Sequence, residues 1–195
     1  MSRDAVMDDV DAAAAVLDTA GPLFYRHGVA AVSMAMIRDR SGVSMRRLYG
    51  LYPSKADLVA AWLEQLHLRW MGGFTKRADD RLRRGESVAD AVFGALADWM
   101  TETDFRGCGF INTHAESNGL TEEHHRTIRR HKRVLSEYLQ SLTPSGAALA
   151  VLLDGAIVQA SIFGDVTYVN RARWAAASIV DGGQAMIQPP STFKV

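Results

Sequence analysis

Apolar residues recur along this chain at i, i+3 and i+4, and alternation with a period of two is rare, which predicts an all-α fold. The first helix is expected from Met7 to His27, with Val10, Ala13, Ala14, Leu17, Ala20 and Phe24 on one face. Gly28 stands where a left-handed C-terminal cap is wanted. Gly21-Pro22 inside this stretch removes a helix hydrogen bond and predicts a kink. A short helix follows from Ser33, its N-cap, to Arg40. Ser41-Gly42-Val43 reads as a tight turn, and a second short helix runs from Ser44 to Gly50, stopped by Leu51-Tyr52-Pro53. Ser54, with Asp57 three residues on, is a weaker form of the capping box and opens a long helix from Lys55 towards Arg84, with Gly72-Gly73 as its bending point. Five more helices are expected over Ser87–Thr101, Cys108–Ser117, Glu122–Leu142, Ser145–Phe163 and Val166–Ile187. The tail from Gln188 to Val195 holds two prolines and little to bury, and is expected to be mobile.

Two short helices joined by a three-residue turn with glycine describe a helix-turn-helix. Met34, Ile37, Val43 and Leu48 supply a small core that would lock the pair at a steep angle. The outward face of the second helix then offers Ser44, Met45, Arg46 and Arg47. A helix this short fits a major groove with its N-terminal residues at base edges, where arginine binds guanine O6 and N7 bidentately. Tyr49, Tyr52 and Lys55 follow, where hydroxyl and ammonium groups can grip phosphates.

Charge sharpens this picture. The 195-residue chain is neutral, with 22 basic and 22 acidic residues. From Ser33 to Lys55, however, stand Arg38, Arg40, Arg46, Arg47 and Lys55 against Asp39 alone, a local excess of four positive charges. A DNA binder of neutral composition must concentrate its basic groups in this way. One cysteine excludes a disulfide framework and a Cys-rich zinc site. The richest apolar run, Ala147 to Gly164, is broken by Asp154 and Gln159, so no membrane span is expected and a cytoplasmic protein is the simplest reading. There is no Gly-rich phosphate loop, no Gly-x-Ser-x-Gly elbow and no His-Glu-x-x-His, so no enzyme and no cofactor are expected.

The run Val32 to Ile37, then Ser41-Gly42-Val43-Ser44, Leu48-Tyr49 and Tyr52-Pro53-Ser54-Lys55-Ala56-Asp57-Leu58, resembles the TetR family of bacterial transcriptional repressors. Ala20, Leu23, Phe24 and Gly28 agree with it. Phe105 to Asn112, Glu116, His131-Lys132-Arg133 and Leu152 to Ala156 look like the regulatory domain of one branch of that family. The resemblance implies about nine helices: three for DNA, middle ones around a ligand pocket, and two pairing with a second subunit. It implies that Ser33 contacts phosphate, that Ser44, Arg46 and Arg47 face the groove, that Tyr49 and Lys55 hold the backbone, and that Tyr52 supports or touches it. Three positions depart from the family pattern. Arg38 replaces a small residue near the helix crossing, Pro22 is unusual, and Arg46-Arg47 replace a small pair, so base readout should differ. The domains implied are 1–53 for DNA binding, 54–187 for ligand binding and dimerisation, and 188–195 as tail.

The stretch Ser145–Phe163 is apolar nearly all round, and Val166–Ile187 carries the stripe Val169, Trp174, Ala177, Ile179 and Val180. Gly155, Ala156, Ala160, Ala175 and Ala176 would let helices approach closely, and a homodimer through a four-helix interface is expected. Trp70, Phe74, Phe93, Trp99, Met100, Phe105, Phe110 and Tyr138 either line an apolar effector pocket or are plain core. Asn112, His114 or Glu116 would add its polar contacts. His124 and His131 share a helix face about 10 Å apart, too far to ligate one metal ion without His114 or Glu116, and no metal is expected. Cys108, near Arg106, is either a redox-sensing thiol or a small buried hydrophobe. The partners expected are an operator duplex, a second copy of the chain and a small-molecule effector. The competing classes are an all-α interaction protein without specific DNA binding and a redox- or metal-sensing regulator.

Overall fold

The structure is a computed structural model that describes residues 8–101, 105–116 and 119–182. Among these there are nine α-helices and no strand: α1 (Asp9–His27), α2 (Met34–Ser41), α3 (Met45–Leu51), α4 (Lys55–Arg83), α5 (Val88–Met100), α6 (Gly109–Glu116), α7 (Glu122–Leu142), α8 (Gly146–Phe163) and α9 (Thr167–Asp181). The expected continuation from residue 183 to 187 and the tail 188–195 lie outside the described residues.

Local chemistry sets the helix ends. Asp8 caps α1 by accepting from the Asp11 amide at 2.8 Å. Ser54 and Asp57 form a reciprocal box: the Asp57 carboxylate accepts from the Ser54 amide at 2.8 Å, and Ser54 Oγ accepts from the Asp57 amide at 3.2 Å. At the start of α7 a histidine plays the carboxylate's part. His124 Nδ1 accepts from the Thr121 amide at 3.0 Å, and Thr121 Oγ1 accepts from the His124 amide at 3.4 Å. His124 Nε2 lies 2.8 Å from the Ala56 carbonyl, so the ring proton belongs on Nε2.

The face of α1 differs from expectation. Ala12, Val16, Ala20, Leu23 and Phe24 are buried, whereas Val10 is 77% exposed. Four consecutive alanines leave the rotation of this helix undecided in the sequence, and Val16 with Phe24 settle it. Pro22 lies within α1, which runs on to His27. Its ring is exposed, as is Asp18, so the carbonyl that loses its partner sits on the wet side of the helix.

The chain divides into two compact units. The first comprises Met1–Phe74 with Thr101–Val134. Its core gathers Phe24, Ile37, Leu48, Leu58, Trp62 and Leu63, each at most 2% exposed. Burying each such side chain contributes roughly 1.5–3 kcal/mol before the entropy of ordering it. The second unit comprises Thr75–Met100 with Leu135–Val195, where α9 packs on α5 and α8. Phe93, Leu96, Leu139, Leu149 and Leu153 form its core. Arg81 crosslinks this unit, donating to Glu86 at 2.9 Å and to Asp98 at 3.0 Å.

The two terminal helices are each covered on one face only. In α8, Leu149, Leu153, Ala156, Ile157 and Ala160 are buried, while Val151, Ile162 and Phe163 are exposed. In α9 the expected stripe is split: Val169 is buried, but Trp174 is 76% exposed and Ile179 is also exposed. By length and composition alone, α8 is apolar enough to cross a membrane.

Candidate nucleic-acid interface

Helices α2 and α3 meet at a turn made by Gly42. Its φ of 73° is left-handed, the region glycine enters without a steric cost, and its amide donates to the Arg38 carbonyl at 3.1 Å. Met34, Ile37, Val43 and Leu48 are all buried, so the small core expected between the two helices is present. Ser33 caps α2, accepting from the Met36 amide at 3.2 Å, which leaves its O–H as a donor. Ser44 caps α3, accepting from the Arg47 amide at 3.4 Å. Arg38 resolves its conflict with close packing by turning outward, where it is exposed and donates to Asp39 at 2.7 Å.

The outward face of α3 is mixed. Ser44, Arg46 and Tyr49 are exposed, and Met45 is half-buried. Arg47 is held back: its side chain is 19% exposed, and Nη2 donates to Asp9 at 2.9 Å. Of the two roles open to Tyr52, support or contact, its burial fits support. It is 9% exposed, its hydroxyl donates to the Ala13 carbonyl at 3.4 Å, and burial pushes the phenol's pKa up. Lys55, in the first turn of α4, donates to the Ala30 carbonyl at 3.3 Å. Burial lowers the Lys55 pKa, against an opposing pull from the Glu116 carboxylate.

Of the two readings of the aromatic set, effector-pocket lining or plain core, the packing fits core. In the first unit Phe74 and Phe110 are fully buried, Trp70 stacks on Phe74 at 4.7 Å, and Phe110 stacks on His131 at 3.7 Å. In the second unit Phe93 is buried, Trp99 is half-buried, and Tyr138 donates to Asp79 at 2.7 Å. Aromatic residues at helical spacing carry no sign of whether they face a void or a neighbour, and these face neighbours. His114 is exposed and meets the edge of His125. Asn112 is exposed and donates to the Arg106 carbonyl at 2.9 Å. It lines a cleft of about 250 Å³ in the first unit with Tyr25, Trp62, Arg106 and Glu116.

Three relationships had no local signal in the sequence. Glu116 closes α6 and accepts from the amides of Val29 at 2.8 Å and Ala30 at 2.6 Å. His131 Nδ1 lies 3.1 Å from Nδ1 of His67, a residue the sequence did not single out, so one ring donates to the other. Burial, with the neighbouring Lys132, His67 and Arg130 charges, pushes the His131 pKa down to about 3. Cys108 is buried, with Lys132 Nζ 3.8 Å from its sulfur.

A capped, glycine-turned helix pair holding an arginine-bearing second helix outward defines an all-α helix-turn-helix protein. Residues 16–62 match the family described as "Bacterial regulatory proteins, tetR family". A curated relative, the HTH-type transcriptional repressor ComR of Escherichia coli, is 31% identical over 103 residues, which are 50% of this chain and 47% of that one. The chain thus spans about half the length of the curated relative it matches. Among solved structures, SCO4454, a TetR-family transcriptional regulator from Streptomyces coelicolor, has a TM-score of 0.76 at 24% identity, over 88% of this chain and 95% of that one. A TetR-family transcriptional regulator from Agrobacterium tumefaciens has a TM-score of 0.72 at 19% identity, over 89% and 99%. Residues 16–62 thus match the TetR family by sequence, and the described residues share the fold of these solved regulators.

Proposed function

We propose that the chain is a homodimeric, sequence-specific DNA-binding repressor, released from a palindromic operator by a small-molecule effector. One observation carries the reading: Arg46 stands exposed on a capped α3 whose opposite face is fixed by buried Leu48. Residues 1–53 bind DNA, 54–187 bind effector and dimerise, and 188–195 are a tail. Arg46, with Met45 and Ser44, reads base edges, while Ser33, Tyr49 and Lys55 hold phosphates. Arg47 joins them once it leaves Asp9. The protein works in the cytoplasm and carries no catalytic step.

Dimerisation is supported by the exposed apolar side chains Val151, Ile162, Phe163 and Trp174 on α8 and α9, too many large groups to leave in water on a free chain. A symmetric pairing of these helices also explains why α8 is apolar on faces its own chain leaves bare. Such a dimer reads half-sites about 34–36 Å apart.

Selection of bound duplexes from a random pool tests the reading, and a palindromic consensus is the expected result. Arg46→Ala should then weaken consensus binding by roughly 1–3 kcal/mol and change non-specific binding little. Binding indifferent to sequence at every salt concentration would overturn it in favour of an interaction protein.

A further inference from the structure

Helix α7 carries arginines at 126, 129, 130 and 133, the i, i+3, i+4, i+7 spacing that stacks side chains on one helix face. They span about 10 Å along the axis. From Glu122 to Arg133 there are five basic residues (Arg126, Arg129, Arg130, Lys132, Arg133) and two acidic ones, an excess of three positive charges. The four arginines, with Glu123 and Thr127, line a groove of about 520 Å³.

Acidic partners meet part of this charge. Arg129 donates to Glu122 and Arg130 to Glu64, while Thr127 donates to Glu64 at 2.9 Å. Burial opposes it, but the bonds from Arg130 and Thr127 hold the Glu64 carboxyl below its ordinary range. Arg126 and Arg133 are exposed and enter none of the ion pairs found among the described residues. Arg130 Nε is buried and has no acceptor among the described residues, although unpaired buried donors are rare. The face therefore has donors to spare in a concave setting.

We propose that this groove binds a small oligophosphate, a ligand with two or more linked phosphoryl groups. Guanidinium pairs phosphoryl oxygens bidentately, and a row of four suits a chain of anionic groups better than a single carboxylate. A DNA backbone fits less well. His124 anchors the start of α7 on Ala56, beside Lys55, and the residues at that end are the acidic Glu122 and Glu123. A duplex approaching from there meets carboxylates first, whereas a small anion enters the groove past them. Occupancy competes with Glu64 for Arg130 and so acts on the joint between α4 and α7. The proposal is independent of the DNA-binding reading.

Calorimetric titration of the full chain with tripolyphosphate, inorganic phosphate and citrate at low ionic strength tests it. Tripolyphosphate should bind once per chain, and about tenfold or more tighter than inorganic phosphate or citrate. Arg126→Glu with Arg133→Glu should abolish binding with the thermal melt unchanged, and the milder pair Arg126→Gln with Arg133→Gln should weaken it. Lys76→Glu, outside the groove, should bind as the parent does. No tripolyphosphate binding by the parent, binding kept in the charge-reversed variant, or citrate binding equally well would each overturn the proposal. So would an absence of tripolyphosphate binding coupled to loss of duplex affinity in the double variant, which would give the stripe to DNA.

Discussion

Arg47 in α3 places Nη2 2.9 Å and Nε 3.2 Å from one carboxylate oxygen of Asp9 in the first turn of α1. The second arginine of α3 is thus tethered to the first helix, while Arg46 beside it faces out. Asp9 is exposed, so the pair is worth about 1 kcal/mol or less to folding. Asp9→Asn should therefore leave the melting temperature almost unchanged. It should strengthen duplex binding and make its dependence on salt steeper by about one phosphate contact. Binding measured across a salt series checks this. An unchanged slope would mean that Arg47 serves the fold and not the duplex.

Glu116 occupies a comparable joint. Its carboxylate takes two amide hydrogen bonds from the loop between α1 and α2, and hydrogen bonds to charged groups contribute about 1.5–3 kcal/mol each. Because one of the two bonds is exposed and the other only part-buried, the loss falls below the full sum: Glu116→Ala should lower stability by about 2–4 kcal/mol and speed amide exchange at Val29 and Ala30 above the rest of unit one. Gly28 shows how tightly this joint is built. Its φ is 83°, and a Cβ there would meet Glu116 Oε1 at 2.9 Å. Gly28→Ala should thus combine backbone strain with displacement of Glu116 and cost about 1 kcal/mol or more. Chemical denaturation of both variants, with exchange read residue by residue, separates the two effects.

How much of this the sequence carried depends on distance along the chain. Capping residues such as Ser33 and Ser54, the turn at Gly42, and the apolar quartet Met34, Ile37, Val43 and Leu48 act within a few residues, so their pattern was legible. The helix-turn-helix and its outward arginine followed. Asp9 lies far from Arg47 in sequence, Glu116 far from Val29, and His131 far from His67. Nothing in either segment marks the other as its partner. The rotation of α1 was lost in a run of alanines that has no strongest face. For Tyr52 the sequence left support and contact both open, because a phenol serves equally as a phosphate donor and as a buried prop, and the bond to the Ala13 carbonyl favours the prop. The aromatic set stayed open for the same reason: Phe74, Phe93 and Phe110 have one appearance in sequence whether they border a cavity or fill it.

The buried histidine pair makes stability depend on pH. Unfolded, His131 titrates near about 6.5; folded, it is pushed down to about 3. Above the unfolded value both states hold it neutral and it contributes no slope. Between the two values the unfolded chain takes up a proton that the fold refuses, so stability falls as pH falls, by about 1.4 kcal/mol per pH unit. At pH 5 the loss from this group is about 2 kcal/mol. The His67 pKa is also lowered, by burial and then by Arg130, and adds in the same direction. His131→Gln keeps a hydrogen-bonding partner for His67 without titrating in this range. Its denaturation midpoints at pH 7.5 and pH 5 should lie closer together than those of the parent. Equal spacing would assign the acid sensitivity to other groups.

The bare faces of α8 and α9 give the last expectation. Val151 is 72% exposed and Trp174 is 76% exposed, and neither supports the core of its own chain. A tryptophan at the centre of an interface commonly contributes 2 kcal/mol or more, about 30-fold in dissociation constant. Trp174→Ala should therefore weaken self-association by about that factor, and Val151→Asp with Trp174→Asp should give a chain that sediments as a monomer. Burying an unpaired carboxylate opposes pairing, whereas in the monomer both new side chains stay in water, so helix content and cooperative unfolding should persist. The monomer should also lose most of its affinity for a two-half-site duplex while a single half-site is bound as weakly as before, because the second recognition helix no longer comes tethered to the first. A double variant that stays dimeric would place the subunit contact on another face. One that unfolds would show that these positions brace the chain's own core.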